Sequence, residues 1–331
     1  MTTSAAFAMQ PLLLPELFPP DLRHRLSLVT RTDERVIESF DGPLDVEILI
    51  TGWGCPRIDA DVLAAAPRLR AVVHAAGSVK GHLTAEVFDR GIAVSSAAEA
   101  NARPVAEFTL AMLVLAAKQA IVKARAYSTR GWSGDPLPGV ATPSEGGGLI
   151  GAVVGVIGAS RVGRLVMERL RDHGAHILLS DPYISPAQAA DLGARPVPLD
   201  DLCREAELVT VHAPALPETR GLLDERRLAL LRDGAVLVNT ARGSLIDTDA
   251  LVRHCATGRI GAVLDVTDPE PLPFGHPLLA LPNVLVTPHL SGARGRELRR
   301  LGEFAVAEVE RLARGLPLRG AVRPADLDRI A

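Results

Sequence analysis

Residues Val153 to Arg164 read VVGVIGASRVGR. A run of apolar, mostly β-branched residues meets a glycine, and a second glycine stands five positions on. This order reads as a buried strand, a tight turn and the start of a helix. Gly158 permits the turn, and Gly163 permits close packing of helix on strand. The first turn of the helix, with Arg161 and Val162, presents unpaired N–H groups and the positive end of a dipole. A pyrophosphate is the ligand that such a terminus suits. The stretch differs by one letter from G-x-G-x-x-G, because Ser160 holds the middle position. A side chain there occupies space where backbone would approach phosphate, although its hydroxyl can donate to an oxygen. The context of strand before and helix after points to a dinucleotide cradle, the other reading being a glycine turn that packs a helix with no ligand. Asp181 ends the next apolar run, HILLSDPY, where it can accept from adenosine ribose hydroxyls. A carboxylate there repels a 2′-phosphate, and no Arg or Lys follows at once, so NAD is favoured over NADP. The other reading of Asp181 is a turn cap before Pro182.

Outward from this turn, short apolar runs alternate with helical patterns. DVEILITG, RAVVHAAG, HILLSD, ELVTVHA, AVLVNTA, AVLDV and VLVTPH read as strands, with VVGVI among them. Their hydrophobicity is continuous rather than alternating, which suits strands covered on both faces. Strands separated by helices imply parallel sheets. The expected fold is α/β: two Rossmann-like domains with parallel sheets and an active site in the interdomain cleft. A long helix is expected from Ala102 to Lys123, following Pro104. SGDPLPGVATPSEGGG, residues 133–148, is a Pro/Gly-rich loop. The Arg/Glu-rich helix after His289 is too short to stand alone and is expected to pack back. The domains expected are therefore 1–103 plus 292–331, discontinuous and substrate-binding, and 104–291, dinucleotide-binding.

The chain has 331 residues, 47% hydrophobic and 23% charged, which supports roughly two ordinary domains and argues against disorder. The net charge of −3 provides no basic surplus for nucleic acid or an anionic membrane. Cys55, Cys203 and Cys255 are far apart and odd in number, with no metal-ligand spacing. They read as reduced thiols of a cytoplasmic protein, and no metal is expected. The N-terminal stretch lacks a basic segment and a long apolar run, so no signal peptide is expected.

Three further residues carry chemistry. Arg242 lies just past AVLVNTA, Glu270 follows AVLDV by a short Pro-rich loop, and His289 follows VLVTP. Ligands of parallel sheets gather at the carboxyl ends of strands, so all three can meet over one crevice. An Arg there grips a carboxylate bidentately and polarises a carbonyl. A protonated His delivers a proton, and a Glu on its other nitrogen sets tautomer and charge. Alone, each is most often a surface or packing residue; together, beside a dinucleotide site, they fit the reduction of a keto acid.

Three segments carry a family resemblance: VHAPALPETRGLL (Val211 to Leu223), LVNTARGSLIDTDAL with Arg242, and LDVTDPEPLP…HPLLALPNVLVTPHLSG with Glu270 and His289. From about Leu69 to about Arg300 the chain resembles the D-isomer-specific 2-hydroxyacid dehydrogenases, glyoxylate/hydroxypyruvate reductases among them. The resemblance implies NAD(H)-dependent reduction of a small 2-keto acid to the D-hydroxy acid. It implies Arg242, Glu270 and His289 as the catalytic Arg, Glu and His. It makes Asp265 the acid near the nicotinamide carboxamide, with His212, Ala213, Thr240 and Ala241 lining the cofactor. It implies a substrate loop in AAGSVK, where Gly77 and Ser78 offer backbone N–H groups to a carboxylate. Ser78 and Lys80 depart from the family's usual Gly and Asp, and Lys80 either attracts a second anion or faces solvent. Trp53 is a candidate pocket wall or core residue. His24, His74, His82, His173, His176 and His254 show no partner pattern, and His276 suits a turn. A homodimer is implied, with the helix after Pro104 and the Pro/Gly-rich loop in its interface, and hinges near Pro104 and Ser291. The rival readings are a non-catalytic NAD(H)-sensing protein of the same fold, a formate- or phosphite-type dehydrogenase, and a phosphoglycerate dehydrogenase.

Overall fold

Twelve strands form two fully parallel sheets in the computed structural model, which describes residues 3–131 and 147–327. The chain divides into two units, Met1–Ala102 with Ala293–Ile330, and Arg103–Gly292. Residues 133–146 of the Pro/Gly-rich loop lie outside the described residues.

The first unit holds β1 (Thr3–Ala8), β2 (Thr30–Ile37), β3 (Ile48–Thr51), β4 (Ala71–His74) and β5 (Ala93–Ser96), in the order β2-β1-β3-β4-β5. The order reverses between β1 and β3, so this sheet is flavodoxin-like in topology. Both faces are covered. Phe7, Ile48, Ile50 and Val73 pack with Leu301, Val306 and Val309 of the helix Leu298–Ala313, while Leu49, Val72 and Val94 pack with Val62 and Val87. The C-terminal helix therefore returns onto this sheet. It does so tightly: a Cβ at Gly302 would fall 1.7 Å from the Leu17 carbonyl oxygen.

The second unit holds β6 (Val153–Ile157), β7 (His176–Ser180), β8 (Ala194–Pro196), β9 (Leu208–Val211), β10 (Val236–Asn239), β11 (Gly261–Leu264) and β12 (Val284–Val286). Their order is β12-β11-β10-β9-β6-β7-β8, the Rossmann arrangement, and it reverses between β6 and β9. Val154, Val156 and Val238 face Val166, Met167 and Leu170, while Val211, Leu237 and Leu264 face Leu228, Leu251 and Leu278. Each fully buried aliphatic side chain contributes about 1.5–3 kcal/mol. An exposed Arg–carboxylate pair such as Arg226–Asp200 contributes at most about 1 kcal/mol. The two-sided cores, not the many surface ion pairs, hold the sheets.

The eight strands read from the sequence are all present. The four not anticipated are β1, β2, β5 and β8. β1 is TSAAFA, built from small residues; β2 carries the charged run TRTDERVI; β8 is three residues ending in proline. β5, AVSS, is short and half polar. The long helix also differs from expectation. It begins at Ala98, contains Pro104, and ends at Ala117; a second helix runs Ala120–Arg130 after Gln119, whose φ is +53°. The left-handed residue interrupts a pattern that reads as continuous because the apolar period resumes beyond it. Among the described residues no single helix is long and apolar enough to cross a membrane.

Candidate active site

The glycine turn sits where the seven-stranded sheet reverses, at the carboxyl ends of β6 and β9. Gly158 has φ +95°, and a Cβ there would lie 2.8 Å from Ala213 N. A Cβ on Gly163 would fall 2.2 Å from the Gly158 carbonyl oxygen. Space fixes both glycines, and at Gly158 the positive φ adds a conformational requirement. Ser160 has a role within the turn itself. Its φ is −64°, and its Oγ accepts from Gly163 N at 3.3 Å as the N-cap of the helix Arg161–Asp172. Arg161 and Val162 occupy the next two positions, whose N–H groups have no acceptor within a helix. The turn thus keeps two donors for an anion while satisfying a third itself.

Asp181 braces the turn from β7. Its Oδ2 accepts from Ala159 N at 2.7 Å and its Oδ1 from Tyr183 N at 2.8 Å. The turn-capping role is realised, and the remaining lone pairs of the carboxylate stay available to hydroxyls. His212 is buried behind the turn with Nε2 2.9 Å from Thr210 Oγ1. Burial pushes its pKa down to about 3, so the ring is neutral. The residues Gly158, Gly163, His212 and Ala213 meet at one point.

Arg242, Glu270 and His289 leave the adjacent strands β10, β11 and β12 in the same unit. Arg242 is oriented by Asn239, whose Nδ2 donates to the Arg242 carbonyl at 2.8 Å and whose Oδ1 accepts from Ala241 N at 3.0 Å. Thr240 Oγ1 lies 2.8 Å from Thr109 Oγ1, which in turn donates to the Val105 carbonyl. The guanidinium Nη1 donates to the Ala241 carbonyl at 2.6 Å. Burial lowers the Arg242 pKa from its usual value, and the charge of Glu270 opposes that. Arg242 and Glu270 therefore feel each other electrostatically. Gly243 makes their approach possible: a Cβ there would fall 2.0 Å from the Thr267 carbonyl carbon and oxygen.

Glu270 Oε1 lies 2.6 Å from His289 Nδ1. Their side chains remain 40% and 50% exposed, so the pair is open to a ligand. His289 is one of two described non-glycine residues with positive φ, at +48°. Such a backbone costs roughly 1–2 kcal/mol. It is held by hydrogen bonds from His289 N to the Asp265 and Thr287 carbonyls. The Asp265 carboxylate completes the brace, accepting from Thr287 Oγ1 at 2.6 Å, Leu290 N at 2.8 Å and Ser291 N at 2.9 Å. Burial raises the Asp265 pKa, but these bonds outweigh it and hold the carboxyl below its usual value. Asp265 is thus the anchor of the His289 loop.

Gly77, Ser78, Lys80 and Trp53 belong to the other unit, after β4 and β3. Ser78 Oγ accepts from Lys80 N at 3.4 Å, and Lys80 is exposed. Trp53 is 37% exposed and is not a core residue. Asn239, Thr109 and Gly243 were missed by sequence reasoning. Asn239 and Gly243 flank the three residues Thr240–Arg242 in NTARG, so their signal lay within the motif already read. His276 does help a turn, as the N-cap of Pro277–Ala280, but several other histidines have partners the sequence did not show. His254 Nε2 lies 2.8 Å from Glu225 Oε1, and His74 stacks on His82.

Residues 110–291 match the family model described as the NAD binding domain of D-isomer specific 2-hydroxyacid dehydrogenases. The chain belongs to this family, whose cofactor is NAD. It is 38% identical over 257 residues to a D-3-phosphoglycerate dehydrogenase of Mycobacterium tuberculosis, covering 77% of this chain and 47% of that protein. It is 34% identical over 260 residues to a glyoxylate reductase of Korarchaeum cryptofilum, covering 78% of this chain and 77% of the relative. The chain spans about half the length of the phosphoglycerate dehydrogenases it matches. Among solved structures it is similar to a protein from Thermus thermophilus, with TM-score 0.77, 30% identity and coverage of 97% of this chain and 100% of that one. The fold also matches an NAD-complexed D-isomer specific 2-hydroxyacid dehydrogenase from Lactobacillus delbrueckii ssp. bulgaricus, with TM-score 0.78, 20% identity and coverage of 97% and 100%.

Proposed function

We propose that the chain reduces a small 2-keto acid to a 2-hydroxy acid, the D isomer, using NADH. The observation that carries this reading is the 2.6 Å contact of Glu270 with His289 beside Arg242, on the unit that also holds the glycine turn. The turn fits the cofactor: Gly158 and Gly163 leave no room for a Cβ, and the donors of Arg161 and Val162 suit a pyrophosphate. NAD, when bound in its reduced form, supplies the hydride.

The protein's own residues do the rest. Arg242 grips the substrate carboxylate and polarises its carbonyl oxygen. His289, protonated, gives the Nε2 proton to that oxygen as it becomes a hydroxyl. Glu270 accepts from Nδ1–H, which fixes the ring's orientation and tautomer. Gly77 and Ser78 of the N-terminal unit receive the carboxylate, and that unit is the substrate domain. Homodimerisation belongs to the same proposal.

The relatives include D-3-phosphoglycerate dehydrogenases and a glyoxylate reductase. The test is NADH oxidation with glyoxylate, hydroxypyruvate, its 3-phosphate, pyruvate, phenylpyruvate and oxaloacetate, with NADPH as control. Turnover of any of them with NADH supports the reading and ranks the pocket by size and charge. Tight NADH binding without turnover of any member would favour the sensing protein.

A further inference from the structure

Three buried side chains at the carboxyl edge of the five-stranded sheet have no part in the chemistry above. Thr51 ends β3, His74 ends β4, and His82 follows the loop that leaves β4. Thr51 Oγ1 lies 2.9 Å from His74 Nδ1 and 3.4 Å from His82 Nε2. The two rings stack with centroids 4.4 Å apart and planes tilted by 37°. Burial pushes the His82 pKa down to about 4. Burial, and secondly the neighbouring His82, lowers His74 well below its usual value, while a backbone hydrogen bond at Ser78 acts the other way. Both rings are neutral.

Neutral rings let each contact pair one donor with one acceptor, for instance in the following polarity. His82 Nε2–H donates to Thr51 Oγ1, whose own proton goes to His74 Nδ1. The Ser78 backbone acts on His74 as well, in the direction that favours a protonated ring. Thr51 Oγ1 then both accepts and donates between the two rings, the kind of pairing a buried polar group requires. A pair of leucines would fill the space without that demand, so the return must be positional.

The position concerned is the loop Ala75–Gly81. It leaves at His74 and returns at His82, so the stacked rings close its neck. Ala75 N donates to the Thr51 carbonyl at 2.7 Å, and the Val79 carbonyl accepts from His82 N and Leu83 N. Val79 is fully buried, whereas Gly77 and Ser78 at the tip are partly exposed. Gly77 is close to the helix Ala98–Ala117: a Cβ there would lie 3.3 Å from Asn101 Nδ2.

We propose that Thr51, His74 and His82 are positioning residues that hold the loop presenting Gly77 and Ser78 to the substrate carboxylate. This rests on the reading of the chain as a keto-acid reductase. The discriminating variant is Thr51→Val, which keeps the shape and removes both the donor and the acceptor, with Thr51→Ser restoring the hydroxyl. In Thr51→Val, KM for the keto acid should rise about tenfold, with kcat within about threefold and NADH affinity unchanged. Amide exchange across residues 77–81 should accelerate in the same variant, and Thr51→Ser should return both readouts toward the parent. Unchanged exchange in Thr51→Val overturns the proposal whatever the activity. Loss in Thr51→Ser equal to that in Thr51→Val, or a loss of kcat and NADH binding together, also overturns it. If the parent protein reduces no keto acid yet exchange accelerates in Thr51→Val, the clip stands and the reductase reading falls.

Discussion

His289 Nδ1 lies 2.6 Å from Glu270 Oε1, on a histidine whose backbone is left-handed. The ring is aimed by two independent constraints, the Glu270 carboxylate and the Asp265 brace. With both side chains about half exposed, the pair adds little to stability, so its worth lies in orientation. Glu270→Gln should preserve shape but accept from Nδ1 more weakly. It should lower kcat about 10²-fold, and His289→Gln about 10²–10⁴-fold, within the range of general acid catalysis. NADH affinity measured by fluorescence titration should not change in either.

Arg242 pairs a planar, bidentate grip with a half-buried site. Arg242→Lys keeps the charge and loses the fork. Its kcat/KM should fall about 10²-fold or more, with KM and kcat both affected, in steady-state assays with the best keto acid. An effect confined to NADH affinity would place Arg242 at the cofactor instead.

Gly243→Ala drives a methyl group into the Thr267 carbonyl, 2.0 Å away. The loops bearing Arg242 and Glu270 must then separate. The variant should lose turnover about 10²-fold while its glycine turn still binds NADH, since a misplacement of about 1 Å has that cost. Calorimetry against activity separates the two readouts.

Ser160 caps a helix, so its removal is a stability change first. Ser160→Ala should cost about 1 kcal/mol, and Ser160→Gly only a few tenths, by denaturant unfolding. Equal and negligible effects would show that the cap contributes nothing.

His212, His82 and His74 are buried neutral. With His212 at about 3 and His82 at about 4, the unfolded chain binds protons that the folded one does not, from pH 6.5 downward. Stability is therefore complete above pH 6.5 and declines as pH falls toward these values. Between pH 6.5 and 5 most carboxylates stay ionised, and the denaturant midpoint should already drop. A flat midpoint over that window would require charged rings in the folded protein.

Much of this architecture was legible because parallel strands covered on both faces leave unbroken apolar runs, as in VVGVI and AVLVN. β1 and β2 were not, since an alanine-rich strand and a charged edge strand carry no such run. The trio was legible as residues at strand ends. What the sequence did not disclose was how the residues are held: Asp265 reaching Leu290 and Ser291, Asn239 turning Arg242, and Thr51 joining two histidines. These are contacts between side chains and distant backbone, or across strands, with no local spacing to announce them.

The most direct measurement is NADH oxidation by the parent protein and His289→Gln, side by side, across the keto-acid panel. The parent should turn over at least one keto acid and His289→Gln none, with NADH binding equal in both. Turnover that survives in His289→Gln would contradict the assignment of His289 as the proton donor.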